Sequence, residues 1–384
     1  MAKTPLRVAV LGAGPIGLEA ALYAQALGLG VSVFEKGQVA EHVQRWGHVK
    51  LFTPFGINVT SLGRKALLRE NPKCEFPADT DLLTGREFRE FYLVPLAESS
   101  ALLESLHPQT AVLYVGRSKS LKKSDALDSP PFRLLVRSDS GQERIELADV
   151  VLDCTGTYSR PDWLGEGNIP AIGELPARPH IAGGLEDVLG SRRDHYAGRS
   201  IVLVGDGYSA AHTMRQLATL AEEHSATWVF WLTRGPRGPQ PLPRVPNDPF
   251  KERDRLAAKA NSLASRCDAN LEFHPQTHLD EIISHGPDKG FRIAARCSGK
   301  PTTWEVERLI ANVGYRAEMR LSEGLHLDEP TGQIETREPG YYFLGAKSFG
   351  RSSDFYLKTG FEQIRQAFAR ITGNVRNDPY REAS

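Results

Sequence analysis

Two copies of one pattern, a buried strand running into a glycine turn and then a helix, predict an α/β protein with two Rossmann-like, dinucleotide-binding three-layer domains. The first copy is VAVLGAGPIGLEAA at residues 8–21 and the second is VLVGDGYSAA at residues 202–211. Length is a third observation, since 384 residues exceed the ~250–300 at which single cores stop growing. Lys+Arg and Asp+Glu balance at 47 each, which gives no electrostatic reason to expect nucleic acid or an anionic membrane as partner. No apolar run approaches the ~18–20 residues of a membrane span. The N-terminal MAKTPLRVAVLGAG enters a strand without a signal-peptide cleavage pattern, so a cytoplasmic protein is expected.

In the first copy Gly12 permits a tight turn, Gly14 lets the backbone approach a pyrophosphate, and Gly17 lets helix and strand pack closely. Pro15 and Ile16 open the helix, whose N-terminus faces the phosphate with roughly half a positive charge. Glu35 closes the next strand, where a carboxylate accepts hydrogen bonds from both ribose hydroxyls, and Lys36 follows it in the same contact zone. FAD and NAD both fit this unit.

FRLLVRSDSGQERIEL, residues 132–147, alternates apolar and polar positions on either side of Asp139-Ser140-Gly141 and predicts a hairpin. ADVVLDCTGTYSRPDWLGEGNIPAIGE then supplies a buried strand, a Thr155–Gly156 turn and a Pro/Gly-rich exit. The four cysteines, Cys74, Cys154, Cys267 and Cys297, form no CxxC, and Cys154 reads as a small buried side chain. HExxH and GxSxG are also missing from the sequence.

The second copy places Gly205, Gly207 and Ala210 as GxGxxA, with Tyr208 and Ser209 at the opening of its helix. Its next strand, ATWVFWLTRG, ends in Thr233-Arg234 instead of an acid. A cation there suits the 2'-phosphate of NADPH, which a carboxylate would repel, and Arg237 is a second donor. The alternative for Arg234 is a solvated loop arginine. The Pro-rich loop at 235–250 is a lid, a border of the substrate site or a plain connector. WEVERLIANVGYRAEM gives a further buried strand followed by Gly314, and GYYFLGAKSFGRSSDFYLKTGFEQIRQAFARI gives strand, glycine and helix again.

This order of motifs resembles the flavoproteins with two dinucleotide domains: the thioredoxin reductase and glutathione reductase class, and the flavin-containing and N-hydroxylating monooxygenases. The resemblance runs through residues 6–37, 150–174, 200–235 and 309–368. It implies a nicotinamide domain inserted in the FAD domain: residues 1–178 the first part of the FAD domain, 179–309 the NADPH domain and 310–384 the return segment. Thr155 and Gly156 would then pass near FAD. The stretch QRWGHVKLFTPFGIN would line the flavin or the substrate with Trp46, His48, Phe52, Thr53 and Pro54. His48 is the histidine proposed as proton carrier, because its ordinary pKa lies near neutrality, with a structural role as the alternative. Related reductases carry Gly-Asp for the ribityl chain where this sequence has Gly345-Ala346-Lys347, and Lys347, Ser348 and Asp354 are the candidate replacements. Phe361, Ile364 and Phe368 recur at helical spacing as core, with Ser352, Ser353 and Asp354 as cap residues. The start of that helix would stabilise an anionic reduced flavin, with Lys347 and Arg351 adding charge there or standing as exposed loop cations.

The expected activity is hydride transfer from NADPH to flavin, followed by oxygen activation and monooxygenation of a small nucleophilic substrate. The segment HYAGRSIVLVGDGYSAA is similar to flavin-containing monooxygenases, although PHIAGGLEDVLG departs from the signature those enzymes carry just upstream. The absence of CxxC argues against a dithiol reductase. An NADPH-dependent reductase of another small or protein acceptor is the alternative, and a flavin- and NADPH-binding redox sensor or assembly factor is a third reading. A homodimer is common in this class.

Overall fold

A computed structural model describes residues 5–118, 129–236, 241–266, 270–350, 352, 354–374 and 376–382. The chain divides into two compact units, Met1–Arg160 with Arg316–Ser384, and Pro161–Tyr315. In chain order the strands are β1 Arg7–Leu11, β2 Gly30–Phe34, β3 Leu106–His107, β4 Thr110–Arg117, β5 Phe132–Ser138, β6 Glu143–Ala148 and β7 Val150–Asp153. The inserted unit contributes β8 Ala182–Gly183, β9 Ser200–Val204, β10 Trp228–Leu232, β11 Leu271–His274, β12 Thr277–Ser284, β13 Phe291–Cys297, β14 Lys300–Val306 and β15 Arg308–Ala311. The return segment adds β16 Tyr341–Phe343.

The first unit is built on a parallel sheet of order β16-β7-β1-β2-β3. Its middle strand is apolar at nearly every position because both faces are covered. Val8 and Val10 pack with the helices Pro15–Ala26 and Leu357–Thr372, whereas Ala9 and Leu11 pack with Phe132, Leu134 and Val136 of an antiparallel β4-β5-β6 sheet. Helices, parallel sheet and antiparallel sheet thus make three layers. The hairpin read at 132–147 is β5 and β6, and Gly141 at its turn has a φ of +83°.

The second unit repeats this plan. Its parallel sheet has the order β11-β10-β9-β15-β8. The helix Tyr208–Glu223 packs with Lys251–Arg266, and the antiparallel β12-β13-β14 sheet meets Val202, Val204, Leu309 and Ala311 through Leu279, Ile282, Ile293 and Trp304.

Two expectations are corrected. The units part at Arg160/Pro161 and Tyr315/Arg316, not at 178/179 and 309/310. The segment after Arg160 is tied into the second unit by backbone bonds: Asp162 N to Gly314 O (3.0 Å), Ile172 N to Asp280 O (2.9 Å) and Ile282 N to Ile172 O (2.8 Å). The helix that buries Phe361, Ile364 and Phe368 as expected starts at Leu357, and its N-cap is Tyr356, which makes no side-chain cap bond. Ser352 instead donates to Asp354 at 3.1 Å in the preceding loop, while Ser353 and Arg351 lie outside the described residues. No helix among the described residues is long and apolar enough to cross a membrane.

Candidate functional site

Each parallel sheet ends in a glycine turn, and the two turns share their steric logic. Gly12 has a φ of +96°, and a Cβ there would lie 3.0 Å from the Cys154 carbonyl oxygen. A Cβ on Gly17 would fall 1.9 Å from Gly12 O, so only glycine lets the helix sit this close to the turn. Gly14 is different: a Cβ there would have nothing within 4 Å. It is the N-cap of Pro15–Ala26 and provides no side-chain cap bond, and Pro15 at the first helical position lacks an N–H. The start of this helix thus has no side-chain cap and open space over Gly14, and uncapped helix N-termini suit anions.

In the second unit Gly205 has a φ of +143°, and its Cβ would fall 2.2 Å from Asn312 O. Gly207, the uncapped N-cap of Tyr208–Glu223, again has nothing within 4 Å. Ala210 stands where Gly17 stands in the first unit and is fully buried. Tyr208 and Ser209, in the first turn of the helix, are partly buried, and the Arg253 guanidinium lies 5.9 Å from the Tyr208 ring centre. The strand beside each turn also corresponds: DCTG begins on the last residue of β7 as ANVG begins on the last residue of β15, with Gly156 at φ +69° and Gly314 at φ +90°. The parallel between Cys154 and Asn312 is legible in the sequence once these tetrapeptides are aligned, but sequence reasoning passed over Asn312.

Around the first turn, Glu35 Oε2 accepts the Ala13 N–H and Oε1 the Gly37 N–H, each at 2.9 Å. The carboxylate is thereby fixed beside the turn with acceptor sites to spare. Lys36 is exposed. Ile16 is a packing residue, since Cβ atoms on Gly345 and Gly360 would approach it to 3.3 and 2.3 Å. Trp46 has a buried indole N–H with no hydrogen-bond partner among the described residues, the kind of donor a bound group satisfies. His48 lies partly buried in the turn after the helix Glu41–Arg45. His42, which sequence reasoning missed, lies on that helix with its ring 5.7 Å from Tyr158, just past Thr155–Gly156, and burial holds its pKa down at about 4.

The residues proposed for the ribityl chain are otherwise engaged. Lys347 is fully buried, and its Nζ donates to Asp153 Oδ2 at 2.5 Å, Thr155 Oγ1 at 3.1 Å and Glu318 O at 2.6 Å. All the donors of an ammonium are used. Tyr341 Oη donates to the same Asp153 oxygen at 2.7 Å, and Asp153 Oδ1 accepts the Thr155 hydroxyl at 2.7 Å. Ser348 donates to Gly345 O and accepts from Gln363, whose Oε1 in turn accepts the Gly345 N–H. Lys347 therefore supports the Thr155–Gly156 turn, while Ser348 ties Gly345 to Gln363. Asp354 is exposed.

Around the second turn, Arg234 is partly buried, and its Nη2 donates to the carbonyls of Trp163 (2.6 Å), Leu164 (3.1 Å) and Gly165 (3.3 Å). One edge of the guanidinium thus ties the chain after Arg160 to the end of β10. Arg237 lies outside the described residues. Cys74, Cys154 and Cys297 are free thiols, and burial pushes the Cys154 pKa well above its ordinary value. Cys267 is outside the described residues. No cluster of metal-ligating side chains occurs among the described residues.

No protein-family model and no curated protein matches this chain. Solved structures share its fold nearly end to end. A cadaverine monooxygenase of desferrioxamine biosynthesis from Erwinia amylovora, bound to FAD, is 18% identical with a TM-score of 0.68, over 97% of this chain and 95% of that one. The ornithine N-hydroxylase of Kutzneria sp. 744, with reduced FAD, NADP+ and L-ornithine, is 15% identical with a TM-score of 0.68, over 96% and 99%. The bacillithiol disulfide reductase of Bacillus cereus is 16% identical with a TM-score of 0.66, over 97% and 100%. The likeness at these identities is one of fold, and it includes both the reductase and the N-hydroxylating arms of the resemblance drawn from sequence.

Proposed function

We propose that the chain is an FAD- and NADPH-dependent oxidoreductase. The observation that carries this reading is the pair of uncapped helix N-termini, each behind a glycine with empty space over it, at the carboxyl ends of two separate parallel sheets. One turn suffices for a single dinucleotide, so two turns match two nucleotides. FAD would be held by Gly12, Gly14, Pro15 and Gly17, by Glu35 at the ribose, by the orphaned Trp46 N–H and by Thr155–Gly156 beside the Lys347–Asp153 pair. NADPH would be held by Gly205, Gly207, Tyr208, Ser209 and Ala210, with the free edge of Arg234 at the 2'-phosphate. Bound together, the nicotinamide supplies a hydride and the flavin carries its electrons to an acceptor. The chain's own part is to orient the two nucleotides and to fix the charges around them.

The acceptor we propose is oxygen, with monooxygenation of a small nucleophilic substrate in a cytoplasmic enzyme. The support is the absence of a CxxC pair in the sequence, together with the Cys154 thiol beside the Thr155–Gly156 turn, whose pKa burial raises so that the thiolate is disfavoured. Purified protein should carry a yellow chromophore that NADPH bleaches anaerobically. On readmitting air, NADPH oxidation coupled to substrate hydroxylation is expected. Full recovery of the reducing equivalents as peroxide, or rapid turnover on a disulfide, would replace the monooxygenase reading with the reductase one. Protein that retains no flavin would remove both.

A further inference from the structure

The second unit holds a buried acceptor without a partner beside its glycine turn. Asn312, directly after β15, is only 7% exposed. Its Nδ2 donates to Gly184 O at 2.5 Å, which fixes the amide orientation, because the flipped amide would set oxygen against oxygen. Oδ1 is left buried with no hydrogen-bond partner among the described residues, a state that native structures rarely accept. The backbone of the same residue pairs with Val204 through Asn312 N to Val204 O at 2.8 Å, and its carbonyl leaves Gly205 no room for a Cβ.

Sheet order shows which part of a dinucleotide passes here. β9 lies between β10 and β15, and ligands of such sheets cross the carboxyl ends of the strands where the order reverses. Arg234, at the end of β10, marks the adenosine-ribose side. With the diphosphate on the turn after β9, the remaining half of the ligand runs toward the end of β15, where Asn312 sits. Phosphate oxygens are acceptors and would leave Oδ1 unsatisfied. Ribose hydroxyls and the nicotinamide carboxamide are donors.

We propose that Asn312 Oδ1 accepts a hydrogen bond from the nicotinamide-riboside half of the bound nucleotide, which makes this site select a complete pyridine dinucleotide over its adenosine fragment. The inference rests on the reading of the second unit as the NADPH domain. Titration calorimetry on the oxidised holoprotein tests it, with NADP+ and adenosine 2',5'-bisphosphate as separate probes. In Asn312→Ala the Kd for NADP+ should rise about ten-fold while that for the bisphosphate stays unchanged, which also reports an intact turn. If Asn312→Ala fails to fold, Asn312→Ser, whose hydroxyl can still serve the Gly184 carbonyl, should give the same pattern. Equal weakening of both probes would mean that Asn312 only supports the turn, and unchanged NADP+ affinity would mean that it makes no ligand contact; either overturns the proposal. Wild-type protein that binds neither probe would instead overturn the NADPH reading itself.

Discussion

Removing the Lys347 ammonium should cost the first unit more than any other single side-chain change described above. Lys347 and Asp153 side chains are both 0% exposed and 2.5 Å apart. Lys347→Met keeps the aliphatic stem and leaves the Asp153 carboxylate buried with the Tyr341 and Thr155 hydroxyls and the Thr155 N–H as its remaining donors among the described residues. Breaking one side of a buried pair costs about 3–5 kcal/mol, because the surviving charge keeps its desolvation penalty and loses its partner. For a unit of this size that is a melting-point loss on the order of 10 °C. The carbonyl of Glu318 and the hydroxyl of Thr155 lose their donor as well, so the Thr155–Gly156 turn should loosen and flavin affinity fall. Thermal and urea unfolding of wild type, Lys347→Met and the double variant Lys347→Met/Asp153→Asn form the assay. The double variant should recover much of the loss, since neutralising both partners removes the stranded charge. A single variant within about 1 kcal/mol of wild type would refute the argument that this pair is buried and interdependent.

Glu19 is fully buried against Tyr92, Thr60 and Tyr380, and burial raises its pKa from 4.5 to about 7. A raised folded-state value stabilises fully below about pH 4.5 and is lost as pH rises through about 7, a change of about 3 kcal/mol across that window. Glu19→Gln should flatten this part of the stability-pH curve, and an unchanged slope would count against it. Gly205→Ala should fail to fold stably, with its Cβ 2.2 Å from a carbonyl oxygen, whereas Gly207→Ala should fold normally yet lose nucleotide affinity, because its methyl enters the open space over the helix N-terminus. Melting curves and NADP+ titration separate the two, and normal NADP+ affinity in Gly207→Ala would remove that space as the phosphate site. Arg234→Glu should shift preference from NADPH toward NADH by ten-fold or more in kcat/KM, and an unchanged ratio would leave Arg234 only its contacts with the carbonyls of residues 163–165.

What was legible in the sequence is what is decided locally. A buried parallel strand has to be continuously apolar, a turn that bends into a helix N-terminus has to spare its side chains, and both signals lie within a dozen residues of Gly12 and of Gly205. The hairpin at 132–147 and the core positions Phe361, Ile364 and Phe368 belong to the same class. Side-chain partners set by tertiary packing were not legible. Lys347 looks like a loop cation until the fold brings it onto Asp153, 194 residues away in the chain. Arg234 looks free until the stretch from Trp163 to Gly165 offers it carbonyls. The cap at 352–354 was misplaced because Ser and Asp have cap chemistry anywhere in a loop, and only the backbone shows that the helix waits until Leu357.

The duplication itself carries information that neither unit gives alone. The shared strand-turn-helix plan makes the differing residues comparable position by position. At the third turn position Gly17 admits no Cβ, while Ala210 carries one, so the first helix is held closer to its turn than the second. After the flanking strand, Cys154 in the first unit is a thiol whose pKa burial raises, while Asn312 in the second keeps a buried amide oxygen with no hydrogen-bond partner among the described residues. The amide of Asn312 is thus a polar difference between the two turns, and the contact proposed for an exchangeable nucleotide rests on it. On that proposal an arriving ligand would supply the missing hydrogen bond and a departing one would leave it unmade, which would keep its binding specific without making it permanent.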